Sequence, residues 1–150
     1  MATNNRTMKC TPTEVFEVLA DGWLYPSWVV GASRIRGVDG NWPAPGSRIF
    51  HSFGIWPALI NDTTSVLEWD SPRHARLKAR AWPTGEAEVI IDVRPRGTGC
   101  NVRLIEDATS GPALLVPTGV RNLALHYRNH ESLHRLAYLA ERGATARERN

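Results

Sequence analysis

The spacing of apolar and polar positions changes twice along this chain, and each change marks a different kind of element. Residues 11–20, Thr-Pro-Thr-Glu-Val-Phe-Glu-Val-Leu-Ala, open a helix with a complete start signal. Thr11 suits the N-cap, Pro12 the first helical position, and the Glu14 carboxylate can reach back to the Thr11 N–H. Cys10 and Val15 flank this box where a hydrophobic staple sits. Asp21-Gly22 interrupts the helix, and Pro26 forbids a long continuation. A second short helical piece carrying Trp23, Tyr25 and Trp28 then leads into Gly31. A strand is expected ahead of the first helix.

After Gly31 the pattern reads as strand to about residue 108. Strands are expected at 33–38, 47–53, 62–69, 73–82, 86–94 and 101–107, with a Pro/Gly-rich loop over 39–46 and breaks at Gly54-Ile55-Trp56-Pro57 and Asp70-Ser71-Pro72-Arg73. Pro83-Thr84-Gly85 predicts a three-residue hairpin loop. That register pairs Ala81 with Ala87, Ala79 with Val89, Leu77 with Ile91 and Ala75 with Val93 on one apolar face. Arg80 with Glu88 and Arg76 with Asp92 fall on the other. The small residues Ala75, Ala79 and Ala81 in the inward column leave volume behind, unless a large aromatic or the covering helix fills it. On the last strand Val102, Leu104 and Glu106 share the inward parity. For 47–53, Ile49-His51-Phe53 and Phe50-Ser52 are both admissible inner sets. For 62–69, Thr64-Val66-Glu68 and Ser65-Leu67-Trp69 are equally so.

Residues 117–142 return to helical spacing. Projection at about 3.6 residues per turn gathers Asn122, His126, Asn129, Leu133, Leu136, Ala137 and Ala140 on one side. Arg121, Arg128, Glu131, Arg135 and Arg142 fall opposite. Gly143 is expected to end the helix, which gives one domain over 1–142 and a frayed charged tail over 143–150.

Composition narrows the class. The 150 residues are 42% hydrophobic and 22% charged, ordinary for a globular protein and enough for a real core. No apolar run approaches the roughly 20 residues of a membrane helix, and the N-terminus lacks a secretory leader, so the expectation is a cytoplasmic protein without integral membrane association. The net charge of +3 comes from scattered arginines interleaved with acids, which argues against nucleic acid as partner. Cys10 and Cys100 lack metal-ligand spacing and suit free thiols; they become neighbours if the first and last strands pair.

Three stretches carry a resemblance: Thr-Pro-Thr-Glu-Val-Phe-Glu-Val-Leu-Ala-Asp at 11–21, Val-Leu-Glu-Trp-Asp-Ser-Pro-Arg at 66–73, and Arg-Asn-His-Glu-Ser-Leu-His-Arg-Leu at 128–136. Together they resemble the START-related (SRPBCC) superfamily of polyketide cyclase/dehydrase-like proteins, pollen allergens and lipid-transfer domains. The resemblance implies an α+β helix-grip fold: a curved seven-stranded antiparallel sheet wrapped around a long C-terminal helix, with two short helices after the first strand and a pocket between sheet and helix. Members bind hydrophobic small molecules and some catalyse cyclisation or dehydration. They share no invariant catalytic set, so no catalytic role carries over.

Candidate chemistry is then read residue by residue. His130-Glu131-Ser132-Leu133-His134 matches a zinc-binding pattern, and His126 extends it to a histidine ladder, but a third ligand is needed, only Glu141 and Glu148 follow as acids, and Glu131 falls on the charged face. No metal or cofactor is therefore expected. His126, between Asn122 and Asn129, together with Glu106 forms a candidate acid/base couple for a cyclase or dehydratase. The candidate ligand-lining set is His51, Trp56, Trp69, Ala79, Ala81, Val89, Ile91, Leu104, Asn122, His126 and Asn129. Trp56 is a candidate lid. Trp23 and Trp28 pack the short helices, Trp42 lies in an exposed loop, Trp82 ends a strand, and Asp62 reads as an exposed strand-end carboxylate. The expected function is binding of a polyketide- or lipid-like molecule by a monomer or homodimer. A lyase-type enzyme and a protein-interaction module with a filled interior are the alternatives.

Overall fold

A computed structural model describes residues 1–81 and 85–149, apart from the side chains of Ile55 and Ala81. Its order is β1 (Ala2–Met8), α1 (Pro12–Ala20), a 3-10 turn (Gly22–Leu24), α2 (Tyr25–Trp28), β2 (Ala32–Val38), β3 (Arg48–Ile55), β4 (Ala58–Asp70), β5 (His74–Ala81), β6 (Gly85–Arg96), β7 (Gly99–Ser110), a second 3-10 turn (Pro112–Leu115) and α3 (Thr118–Glu148). The strands form one antiparallel sheet in the order β1-β7-β6-β5-β4-β3-β2, the α+β helix-grip arrangement expected from the sequence. Among the described residues, no helix is long and apolar enough to cross a membrane.

The start signal of α1 forms as read. Thr11 Oγ1 accepts from the Glu14 N–H at 3.3 Å, and Glu14 Oε2 accepts from the Thr11 N–H at 2.7 Å. The box orients α1 so that Val15, Phe16, Val18 and Leu19 are buried, with Phe16 meeting Trp69 edge-on at 5.1 Å between ring centroids. Leu133, Leu136, Ala137 and Ala140 of α3 enter the same core. Full burial of a leucine side chain contributes about 2 kcal/mol, so the second half of α3 is anchored by its apolar stripe.

Gly143 does not end α3, which continues to Glu148. Ala144 packs against the core and Arg147 pairs with Glu17 of α1, so the last turns gain partners that a bare tail lacks.

The β5–β6 register differs from expectation by two residues: Ala79 pairs with Ala87, Leu77 with Val89, Ala75 with Ile91, Arg80 with Glu86 and His74 with Asp92. Gly85 stands opposite Ala81 inside the strand, while Trp82, Pro83 and Thr84 lie outside the described residues. A Cβ on Gly85 would stand 1.8 Å from the Ser110 carbonyl oxygen, so this glycine serves the close approach of β7. A two-residue slip returns every side chain to the same face, so the apolar and charged faces survive the error.

Both open parities are resolved. Ile49, His51 and Phe53 face inward on β3. On β4, Asp62, Thr64 and Val66 are buried, a bulge falls between Val66 and Glu68, and Trp69 turns inward opposite Ala75. The extra residue shifts the alternation, so each half of the strand obeys a different parity. Asp62 is thus buried in mid-strand, not exposed at its end. Trp69 beside Ala75 supplies the large aromatic that fills the space this alanine leaves.

β1 and β7 do pair, with Met8 opposite Cys100, and the Cys10 and Cys100 thiols are free and buried together. Their mutual hydrogen bond and burial push the Cys10 thiol pKa upward.

Replacing Thr11 with Ala removes one half of the capping box. The expected cost is about 1 kcal/mol of unfolding free energy, read as a lower urea midpoint at unchanged slope by tryptophan fluorescence.

Candidate functional site

Between the first half of α3 and the sheet lies a cavity of about 160 Å³. Small residues create it: Ala79 on β5, Gly85 and Ala87 on β6, Ala108 on β7, and Ala113 in the second 3-10 turn. Phe53, Leu77, Val89, Leu104 and Leu125 complete the apolar wall, and Tyr25, Trp28 and Val29 close one side. Tyr25 and Trp28 are there because Pro26 starts a single helical turn, whose two aromatics meet edge-on at 5.6 Å.

Polar groups sit at defined points in this wall. Tyr25 Oη and His51 Nε2 each lie 2.9 Å from Thr64 Oγ1, and the Tyr25 and His51 rings stack at 5.3 Å. His51 Nδ1 has no partner. Burial lowers the His51 pKa, with Arg36 adding in the same direction and Asp62 opposing, so the imidazole is neutral at pH 7. Burial likewise raises the Tyr25 pKa. Glu106, 3% exposed, pairs with Arg128 across the cavity, and the Arg128 guanidinium lies 6.0 Å from the Phe53 ring centre. Asn129 is buried and its Nδ2 has no partner. The Ser132 hydroxyl accepts from the Val30 N–H at 3.2 Å.

Of the candidate lining residues, His51, Ala79, Val89, Leu104 and Asn129 lie on the wall of this cavity, as does Glu106, the candidate acid. Ala81 is a residue whose side chain lies outside those described. Ile91 is wholly buried in the main core, and Trp69 packs on Phe16. Trp56 is 80% exposed at the tip of the β3–β4 hairpin, outside the cavity wall, so it is not a lid over it. Trp28 is buried as expected, whereas Trp23 is 62% exposed. Trp42 is half-buried and donates to the Leu19 carbonyl at 3.3 Å.

His126 and Asn122 also miss the cavity. His126 is exposed, its carbonyl accepting from Asn4 Nδ2 at 3.0 Å, and Asn122 Oδ1 accepts from the N-terminal ammonium at 3.2 Å. Both positions thus face the β1 edge. The cavity instead receives Arg121, Leu125 and Arg128, one residue, or about 100°, away from the projected stripe. One fixed axis through Leu133 and Leu136 cannot describe a helix that meets β1 on one flank and a cavity on the other. The proposed couple of His126 with Glu106 does not form; Glu106 is held by Arg128. Glu131 pairs with Arg135 at 2.8 Å and His130 and His134 are exposed, so the zinc-like pattern is a charged outer face. Among the described residues, no three His, Cys, Asp or Glu side chains converge as metal ligands.

An antiparallel sheet closed by one long helix over an internal cavity defines the helix-grip class. The chain belongs to the polyketide cyclase / dehydrase and lipid transport family, whose model matches residues 2–141. Similar solved structures include a conserved protein from Geobacillus kaustophilus, 15% identical over 93% of this chain and 94% of that one, with a TM-score of 0.74. TTHA0849 from Thermus thermophilus is 13% identical over 95% and 97%, at 0.71. The di-domain ARO/CYC StfQ from the steffimycin biosynthetic pathway is 11% identical over 95% of this chain and 51% of its own, at 0.73. At these identities the likeness is one of fold. Among curated protein sequences, none matches this chain.

Two outcomes follow from the buried polar groups. Glu106→Ala strands the Arg128 charge and is expected to cost about 3 kcal/mol, whereas Glu106→Leu combined with Arg128→Met recovers most of it in chemical denaturation. For His51 the folded-state pKa lies below the ordinary 6.5. The unfolded chain therefore takes up the proton first as pH falls. Stability present above pH 6.5 should decline on acidification, by at most about 1.4 kcal/mol per pH unit from this group. His51→Gln should flatten that part of the profile in urea melts between pH 7.5 and 5.

Proposed function

We propose that this protein binds an apolar or aromatic small molecule, polyketide- or lipid-like, in the cavity beneath α3, as a carrier or sensor. The observation that carries the reading is an interior space walled by apolar side chains where a packed domain would place bulk. The same apolar space counts against the interaction-module alternative, which requires a filled interior. The family description, with cyclases and lipid transport side by side, supports a buried apolar guest without choosing between them. The carrier reading is preferred to a cyclase or dehydratase because the Glu106 carboxylate is already engaged by Arg128 and His126 lies elsewhere. Burial of apolar surface is worth roughly 25 cal/mol per Å² before association costs, so the apolar body supplies the driving force for the guest.

Ala79→Phe puts a ring into the space while keeping the inward face of β5 apolar. Calorimetric titration with octan-1-ol should give saturable binding to the native chain and none to the variant, with the circular dichroism spectrum unchanged. Equal binding to both would place the guest elsewhere and overturn the reading.

A further inference from the structure

Three arginines line the cavity, and their partners differ. Arg128 is paired with Glu106. Arg80 lies 3.5 Å from Glu86 and 3.9 Å from Asp62. Arg121 has no carboxylate within ion-pair distance among the described residues; its one hydrogen bond runs from Nη1 to the Ala113 carbonyl at 3.3 Å, and its Nε is buried without a partner. Arg121 is half-buried, with its Nε shielded from water and unpaired, so an anion reaching the group would satisfy a donor that the fold leaves open. The surroundings point the same way. Arg121 stands in the first turn of α3, a 31-residue helix whose N-cap is Pro117, with no side-chain cap and no acidic residue in that turn. The positive end of the helix dipole therefore adds to the guanidinium. From Ala108 to His130 the sequence contains no Asp or Glu. Counting the charged groups on the cavity wall, Arg80, Arg121 and Arg128 face Glu86 and Glu106, an excess of one positive charge.

We propose that the cavity takes a carboxylate-bearing apolar molecule, with the apolar body against Ala79, Ala87, Val89 and Leu104 and the carboxylate received by Arg121. This deepens the binding reading above and rests on it. A guanidinium suits this task because its planar N–H fork presents two parallel donors to a carboxylate. The size of the space limits the body to a ring or a short chain: engineered cavities of comparable volume, about 150 Å³, hold benzene.

Octanoate and octan-1-ol share a chain length and differ in the head group, so the pair separates the two ideas. Calorimetry at pH 7.5 should show octanoate binding the native chain at least tenfold more tightly than octan-1-ol. Arg121→Gln should weaken octanoate tenfold or more and erase most of its advantage over octan-1-ol on the same variant, and Arg121→Lys should recover part of that advantage. Octan-1-ol binding the native chain as tightly as octanoate overturns the carboxylate inference and leaves the binding reading standing; this comparison needs no variant. Equal weakening of both compounds in Arg121→Gln makes Arg121 a wall residue and likewise overturns the inference. Binding of neither compound overturns both.

Discussion

The Arg128–Glu106 pair is the contact on which the open interior depends. The second half of α3 is secured by Leu133, Leu136, Ala137 and Ala140, which enter the core beside α1. The first half lacks such a stripe and is held at separate polar points instead. Glu106 on β7 holds Arg128, Asn4 on β1 holds the His126 carbonyl, and Asn122 accepts from the N-terminus. Apolar packing would draw the helix down onto the sheet until the space closed. A long side chain meeting a carboxylate fixes a separation instead, and a buried pair of this kind is retained for its geometry more than for net stability.

Alanines and glycine on the strands do the complementary work. Ala79, Ala87, Ala108 and Gly85 lie under the polar half of α3, whereas Ala75, on the same inward column as Ala79, is covered by Trp69. Identical residues on one strand thus have opposite fates, and what decides between them is the side chain that stands beside each. Trp69 reaches Ala75 only because the bulge between Val66 and Glu68 turns it inward. The boundary between core and cavity is therefore set by one extra residue in β4 as much as by the helix.

The elements most legible in the sequence were those with a local cause. The Thr11–Glu14 box needs only four residues to specify it, and it formed as read. Strand faces were legible because their period of two is robust to a two-residue slip, which is why the β5–β6 faces were right while the pairing was not. The architecture and the cavity wall at His51, Ala79, Val89, Leu104, Glu106 and Asn129 were accessible on these terms. The phase of α3 was not. A helical projection assumes one facing direction, and the anchor at Leu133 and Leu136 carried it to Asn122 and His126, on the β1 side. Only the packing of α3 against β1 on one flank and the cavity on the other reveals that Arg121, Leu125 and Arg128 are the inward set. Tyr25 and Trp28 were likewise missed as wall residues, because a short turn between Asp21 and Gly31 has too few residues to show a face, and Thr64 stood in only one of two admissible inner sets.

Solved structures at 11–15% identity keep this architecture, so most of the sequence can change while the sheet and helix stay in place. The capping box, the alternation of the strands and the apolar second half of α3 are enough to maintain it. The residues that shape and charge the cavity are different ones: small side chains on β5–β7, arginines on α3, and the Tyr25–Thr64–His51 chain. They set the volume and charge of the space, not the topology of the sheet. That separation explains why a shared fold constrains the guest so loosely, and why the guanidinium of Arg121, with no carboxylate beside it among the described residues, says more about the guest than the sheet does.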